Sequence, residues 1–524
     1  MKQNPELPRR PRQILLTLVG LCLLILLLDS SLLGGDAEYS FGANLDDKTA
    51  NNSLNNVPVP AWVQSNSDTE VSVANRLHLS LLHEACIANK DAVIPWQFRS
   101  PRDGHQRQNA TADNDYELIN RNDSNLLEKL KQCPDVDIFL PLRLRGNGYC
   151  EDAVAYAKCT YLYCGLYALD IILTMLTCID LDSRLLPMWA LEIKLYDDAL
   201  GREVDYFDLC PKTPMIFFNH YWNGVPESPR WPKNKPLYLM PNIEMFELTS
   251  THYWKVDVVL CKTHVCYDRV TRWYSENGSP RNVKVFYTKH TSSDQAEFAR
   301  QRLGNTSIAP KDFSGVKFIH TAGSSGWKGT RQLVDCWVLS PGMPPLDVFI
   351  DDSSYNRLFP RTYQLSLNRA RSPVHIKHGM LEPQDFNKLI AESAFFMCPS
   401  RIEGYGHYLN QARASGGVVV TTDTPPMNEL ILSSEMGVLI STESERHPKM
   451  LLGGKYEGER GLNDTEGLLA TFNSSGLCNA IQHFVSSTTT KQRAAMGARA
   501  RQQYHEDTKF FAQSMHKLRL FTRN

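Results

Sequence analysis

The chain has 524 residues, 42% hydrophobic and 22% charged, with a net charge of −1 at pH 7. That length leaves room for two or three domains, and the composition is that of a globular protein. A near-neutral chain with no basic cluster beyond its N-terminus offers nucleic acid no electrostatic hold, and 13 cysteines without a CxxC pair exclude zinc-ribbon and dithiol-redox motifs. In "CKTHVC", Cys261 and Cys266 flank His264, but two more metal ligands are not near in sequence, so the pair reads as a disulfide or as buried thiols.

In chain order, Lys2, Arg9, Arg10 and Arg12 precede an apolar run from Ile14 to Leu33. A run of about 20 residues is long enough to cross a bilayer. Positive charge before it, and none just after, puts the N-terminus in the cytosol. The expectation is a cytoplasmic tail at 1–13 and a signal-anchor at 14–34, with a cleaved signal peptide as the alternative. The rest then lies on the lumenal side, in agreement with sequons at Asn51, Asn109, Asn122, Asn305, Asn463 and Asn473. Residues 35–134 are rich in Asn, Asp and Ser and read as a largely disordered stem, with one helix near "VANRLHLSLLHEACIAN".

At "DVDIFLPLRLRGNGYCEDAVAYAK" the pattern changes to a strand, a glycine turn and a helix. Glu151 and Asp152 are expected to open that helix, where carboxylates complement the dipole. Strand-like runs follow at "MWALEIKLYD", "PMIFFNHYW", "LYLMPNIEMF", "VDVVLCKT" and "VKVFYTKHTSSD". The second half repeats the style in "VKFIHTAG", "LDVFIDD", "PVHIKHG", "AFFMCPS", "GVVVTT" and "MGVLIS", with helices between. Strands this rich in Val, Ile, Leu and Phe belong to parallel sheets covered on both faces. The fold class is therefore α/β: two doubly wound, Rossmann-like domains at 135–310 and 311–505, then a C-terminal helix at 506–524, the stretch from Lys491 to Leu520 reading as amphipathic and helical. The apolar segment 159–182 stands apart. It reads as an insertion, a buried helix or a second span.

In open parallel sheets ligands bind at the carboxyl ends of strands. One such loop is "HTAGSSGWKGT". Gly323 with Ser324 and Ser325 would let a phosphate approach, the next helix offers free N–H groups, and Lys328 adds a point charge suited to a diphosphate. A second is "EGYGHYLNQ": Gly404, Tyr405 and Gly406 form a tight turn after Glu403, whose carboxylate can accept from hydroxyls. Gln411 lies eight positions on and can grip another diol, and Glu429 comes to the same edge from the next loop. In the first half, Gly146, Asn147 and Gly148 face the same crevice. His220, at a strand end, is a catalytic candidate that can touch the acceptor or the donor sugar, and Asn242, Glu244 and His290 to Ser292 are similar strand-end candidates. Neither "DLD" at Asp180 nor "DD" at Asp351 sits with a donor loop, so no metal is expected.

The stretch "SRIEGYGHYLNQARASGGVVVTTDTPPMNEL" resembles the E-x7-E region of the retaining nucleotide-sugar glycosyltransferases of the GT-B fold (family 4, or group 1), and "GSSGWKGT" resembles their Lys-Gly diphosphate loop. The resemblance covers Val316 to Tyr504 well and the first half more weakly. It implies that Glu403 faces the donor sugar and that Lys328 offsets charge on the departing nucleoside diphosphate. It also implies that the nucleotide-sugar is a co-substrate, with no cofactor. Two positions depart from the family pattern: Gln411 stands where a second glutamate is usual, and the arginine common before the Lys-Gly pair is missing. The expected protein is a Golgi or ER single-pass type II membrane glycosyltransferase with a lumenal head. Its partners are a nucleotide-sugar and a glycan, protein or lipid acceptor. The alternative is a non-catalytic glycan- or nucleotide-binding protein of the same fold.

Overall fold

The computed structural model describes residues 82–96, 118–156, 183–340, 342–369 and 372–523. The expected tail and anchor, Asn51, Asn109 and the segment 159–182 lie outside these residues. Among the described residues no helix is long and apolar enough to cross a membrane.

The first domain carries strands β1 (Ile94–Trp96), β2 (Val136–Phe139), β3 (Ser183–Leu186), a hairpin of β4 (Leu195–Asp197) and β5 (Arg202–Val204), and then β6 (Met215–Phe218), β7 (Leu237–Met240), β8 (Val258–Cys261) and β9 (Lys284–Tyr287). Seven of them form one sheet in the order β1-β3-β2-β6-β7-β8-β9. It is parallel throughout except for β1, which pairs antiparallel with β3. Strands β2, β6, β7 and β8 are buried at every position, which is why, apart from Asp137 in β2, they read as apolar runs. The strand order reverses between β2 and β6.

The second domain is a six-stranded, wholly parallel sheet of β10 (Phe318–Gly323), β11 (Leu346–Ile350), β12 (Val374–His378), β13 (Phe395–Cys398), β14 (Val418–Thr422) and β15 (Gly437–Ile440). Its order is β12-β11-β10-β13-β14-β15. Counted from β10 this is 3-2-1-4-5-6, the order of dinucleotide-binding sheets, with the reversal between β10 and β13. The expectation of two doubly wound α/β halves is met. A single helix, Thr490–Arg523, joins them. Met496 near its start packs in the core under β10 and β13, whereas Phe511, Met515 and Leu518 pack with Val136, Ile138 and Ile216 of the first domain.

Four details differ from the sequence reading. The first domain starts before 135: residues 82–88 are helical, β1 edges the sheet, and Cys86–Cys150 and Cys133–Cys210 disulfides tie expected stem residues to it. The strand beside β2 is Ser183–Leu186, while Met188–Glu192 is helical. Arg184 hid that strand, because its buried guanidinium is paired with Asp137 of β2 at 2.9 Å. The helix after β2 runs Asn147–Ala155, so Glu151 and Asp152 lie a turn inside it and are buried rather than opening it. The last helix, expected at 491–520, is found at Thr490–Arg523 as one continuous element, so the division at 506 between the second domain and a C-terminal helix falls inside it.

Candidate active site

The loop leaving β10 turns on two glycines in left-handed conformation, Gly323 (φ +57°) and Gly329 (φ +63°). A Cβ on Gly329 would lie 2.2 Å from the Pro399 carbonyl oxygen, so no side chain fits there. Gly329 also starts the helix Thr330–Leu339 with no side-chain cap, and the positive end of that helix points out of the loop. Beneath the loop, His320 is buried between the Met397 carbonyl (2.7 Å) and the Thr330 hydroxyl (2.9 Å). Burial pushes its pKa down to about 4, so it is a neutral structural group.

Strand β13, next to β10 in the sheet, ends in the Glu403 turn. Ser400 donates to Glu403 Oε1 at 2.5 Å and is left to accept from the Tyr408 hydroxyl, also at 2.5 Å. The Tyr408 ring carries Lys328 Nζ on its face, 3.6 Å from the centroid. Burial lowers the Lys328 pKa, and the Glu403 carboxylate acts to raise it. Lys328 and Glu403 are thus brought together at the strand reversal by Tyr408 and Ser400, neither of which the motif reading singled out. Gly406 (φ +96°) starts the helix His407–Ala414, again without a side-chain cap.

The first domain meets this turn directly. A Cβ on Gly404 would lie 2.3 Å from Asn242 Cγ. The Asn242 amide donates to Asn219 Oδ1 at 2.5 Å, and Asn219 Nδ2 donates to the Tyr149 hydroxyl at 3.0 Å. This chain of contacts runs back to the uncapped helix start at Gly146, where Gly146 and Gly148 leave open space. His220 follows Asn219, lies against the Tyr221 ring at 4.0 Å between centroids with the planes tilted by 41°, and has a buried Nδ1 without a partner among the described residues.

The other sequence candidates hold the two domains together. Gln411 is buried, and its amide donates to Glu151 Oε1 at 3.1 Å. Glu429 accepts from the His264 and Val265 amides at 2.6 and 2.8 Å, capping the helix His264–Asn277 of the first domain. Burial raises its pKa against those two bonds. The Tyr405 hydroxyl donates to the His290 carbonyl and accepts from Asn410 at 2.9 Å. In the phosphate-type loop, the Ser325 hydroxyl accepts from the Trp327 amide (3.3 Å), and the Ser324 carbonyl accepts from Ser354 (3.0 Å).

A buried cluster crosses the same boundary. Lys262 Nζ donates to both Asp152 oxygens at 3.0 and 3.1 Å, and the Nε2 atoms of His290 and His407 each lie 3.0 Å from Asp152 Oδ1. Burial acts to raise the Asp152 pKa, but Lys262, His407 and His290 together hold it well below the usual carboxylate range. Asp152, His290 and His407 are close enough to gather a cation. A metal ion would have to displace the Lys262 ammonium that already occupies the carboxylate. The cluster spans positions 152, 262, 290 and 407, so no local spacing betrayed it. Arg357 was missed for the same reason: it reaches the loop from the helix Asp352–Leu358, with Nη2 2.9 Å from Ser354 Oγ and 3.4 Å from where a Cβ of Gly326 would sit. A guanidinium therefore stands beside the loop although the arginine of the linear motif is absent.

No protein-family model and no curated protein matches the chain. Among solved structures it is similar to TarM (15% identity, TM-score 0.41), over 62% of this chain and 61% of TarM. It is also similar to a glycosyltransferase from Rickettsia africae (13%, 0.41), over 59% of this chain and 77% of that one. A third is the sucrose-phosphate synthase of Thermosynechococcus elongatus (13%, 0.43), over 65% of this chain and 84% of that one. All three scores lie below 0.5, so no residue role or substrate is carried over from these proteins.

Proposed function

We propose that this chain is a glycosyltransferase that moves a sugar from a nucleotide-sugar donor to a glycan, protein or lipid acceptor, with retention of anomeric configuration. The observation that carries the reading is that Lys328, on the Tyr408 ring, and Glu403, held by Ser400, gather at the reversal of a 3-2-1-4-5-6 sheet, beside an uncapped helix start. That edge is built for a diphosphate and a polyhydroxylated ring. The Thr330–Leu339 amides and Lys328 stabilise negative charge as the nucleoside diphosphate departs. Arg357 adds charge beside the loop. Glu403, fixed by Ser400, accepts hydrogen bonds from the donor sugar, while Gly404 beside it makes room for Asn242 of the first domain rather than for the ligand. The acceptor enters from the first domain, along Gly146, Gly148, Asn219 and His220.

We place the protein in the secretory pathway, Golgi or ER, as a type II membrane protein anchored through 14–34. Four disulfides support an oxidising compartment: Cys86–Cys150, Cys133–Cys210, Cys261–Cys266 and Cys336–Cys478. The exposed sequon residues Asn122, Asn305, Asn463 and Asn473 support it too.

A second reading, a binder that turns nothing over, is favoured by Gln411 and Glu429, both of which are spent on contacts between the domains. One experiment separates the two. Thermal melting of the protein with UDP, GDP and a panel of their sugar conjugates finds the donor. Binding at a hundredfold excess over Kd stabilises by about 2.7 kcal/mol. Release of free sugar from that donor supports the transferase, and stabilisation without release supports the binder. No stabilisation by any nucleotide would sink the transferase and leave the glycan-binding form of the second reading.

A further inference from the structure

Away from the Glu403 turn, the first domain holds a cavity of about 530 Å³. Small-ligand sites usually measure about 300–1,000 Å³. Its walls are the helix Met188–Glu192, the strand β5, the short helix Tyr206–Leu209 and the loop that follows β6. The helix Met188–Glu192 leaves the carboxyl end of β3, and the loop leaves the carboxyl end of β6. Those strands flank β2, whose own carboxyl end leads to the Gly146 turn. The cavity therefore lies at the same sheet edge as the acceptor side of the crevice.

Two links join it to that side. The loop from β6 starts with Asn219 and His220 and reaches the cavity at Gly224, four residues beyond His220. A chain spans at most about 3.6 Å per residue, so Gly224 lies within about 14 Å of His220. One oligosaccharide can reach across that span. Asn223 Oδ1 accepts from Arg143 Nη2 at 2.9 Å, and Arg143 belongs to the turn Leu142–Leu144 that leads into Gly146.

The lining is apolar in part and charged in part. Leu191, Val204, Phe207 and Val225 are buried hydrophobic residues. Beside them stands an ordered polar wall, in which Arg230 Nε donates to Asp205 Oδ2 at 2.8 Å and Nη2 to Asp208 Oδ2 at 2.7 Å. Asp205 is fixed in turn by its Oδ1, which caps the helix Tyr206–Leu209. Glu192 and Lys194 are exposed and make no ion pair or side-chain hydrogen bond among the described residues. Four carboxylates and three cations line the cavity, so its net charge is close to zero. A phosphate or a sulfated chain finds no excess of positive charge there. A neutral polyhydroxylated ring fits better. Its C–H faces meet the apolar lining, and its hydroxyls, each both donor and acceptor, meet carboxylates and guanidinium alike. Because the wall is already ordered, little entropy is lost in arranging it.

We propose that this cavity is a glycan subsite, holding the outlying sugar units of an oligosaccharide acceptor whose reacting hydroxyl lies in the crevice. The proposal rests on the transferase reading and narrows it: the part of the acceptor recognised here is a neutral glycan.

Capture on an array tests the cavity without any donor. The full chain is applied to neutral N-glycan and O-glycan oligosaccharides, sulfated glycosaminoglycan fragments and unglycosylated peptides. The wild type should retain neutral oligosaccharides. Glu192→Trp fills the cavity from an exposed position and should abolish that capture. Arg230→Gln removes a charged donor from the wall and should weaken capture about tenfold, which keeps the proposal testable if the tryptophan variant folds poorly. In both variants, stabilisation by UDP and release of sugar from UDP-glucose, UDP-N-acetylglucosamine and GDP-mannose should match the wild type. With a captured oligosaccharide as acceptor, Arg230→Gln should raise its KM and leave kcat unchanged. Capture of peptides or sulfated chains alone, no capture at all, or capture unchanged in both variants would overturn the subsite. The transferase reading survives those results wherever the wild type still releases sugar from a donor. Capture that both variants lose, in a protein that no nucleotide stabilises, would overturn the transferase reading and support the cavity as a glycan site.

Discussion

Gln411 Nε2 donates to Glu151 Oε1 at 3.1 Å across the boundary between the two domains. The same carboxylate accepts from the Ser293 amide at 3.0 Å and from Gln295 at 3.1 Å, and all four residues are buried. An amide at 411 is therefore the complement of a carboxylate supplied by the other domain. A glutamate there would set two carboxylates against each other in a site where neither is well hydrated, and one of them would have to carry a proton.

Gln411→Glu is accordingly expected to destabilise the protein by roughly 2 kcal/mol or more, since it removes a donor to a buried charge and adds a like one. The loss should be largest at neutral pH. It should shrink toward pH 5, because the raised pKa of the introduced group lets the folded state take up a proton that the unfolded state does not. Exchanging the pair, with Glu151→Gln in the same chain, should recover most of the loss. Denaturant melts of the two single variants and the double variant give the coupling. A double variant no more stable than the sum of the singles would show that the contact has no energetic weight.

Glu403→Gln keeps the shape of the side chain and its bond from Ser400 while removing the charge. It should fold normally and lose more than about tenfold in turnover, equivalent to more than about 1.4 kcal/mol of transition-state stabilisation. Lys328→Ala should instead weaken binding of UDP or GDP itself, by about tenfold or more, because a charge-assisted contact to phosphate is lost along with the ring contact to Tyr408. Titration of nucleoside diphosphate into each variant checks the division of labour. Full turnover in Glu403→Gln would reduce that carboxylate to a helix-end charge.

How far the fold could be read in advance follows from burial. Phe395–Cys398 and Val418–Thr422 are covered on both faces, so they announce themselves as apolar runs, and the alternation of such strands with helices shows the two doubly wound halves. Ser183–Leu186 is just as buried but spends one position on Arg184, whose charge is balanced by Asp137 on the neighbouring strand. No pattern within a single segment can show that compensation. The site divides along the same line. Lys328 and Glu403 lie in loops whose glycines and charges are visible locally, whereas Asp152, Lys262, His290 and His407 converge from four separate segments. Glu151 and Gln411, 260 positions apart, are legible only once folded.

Gly404 carries no Cβ because Asn242 occupies the place where it would be: Cγ, Oδ1 and Nδ2 all come within 2.7 Å of that point. Gly404→Ala should force the Asn242 side chain away and cost about 1–3 kcal/mol, the usual range for overpacking. Asn242→Ala removes the clashing atoms, so the double variant should be more stable than Gly404→Ala alone, with a coupling of about 0.5–3 kcal/mol. Gly329→Ala has no such remedy, since its clash is with a backbone oxygen and its φ is +63°. If Asn242→Ala gives no relief, the two domains do not meet at this point in solution.

The dependence of stability on pH ties the buried histidines to Glu244. His290 and His320 have pKa values pushed down from 6.5 to about 4, chiefly by burial. Each therefore stabilises the fold fully above about pH 6.5, where both states are neutral, and less and less as the pH falls toward 4 and the unfolded chain alone takes up a proton. Glu244 acts in the opposite sense. Its pKa rises from 4.5 to about 7, so the folded state holds an extra proton between those values, and stability is lost as the pH rises through 7. Each group changes the slope of stability against pH by up to about 1.4 kcal/mol per pH unit in its window. Between pH 4.5 and 6.5 the opposing slopes partly cancel. His320→Gln should lower the gain in stability per pH unit across that range, and Glu244→Gln should raise it, by up to that amount in each case. Denaturant melts of the wild type and both variants at pH 5.0, 5.5 and 6.0 measure the three slopes. Equal slopes in wild type and Glu244→Gln would mean that Glu244 is an ordinary ionised carboxylate.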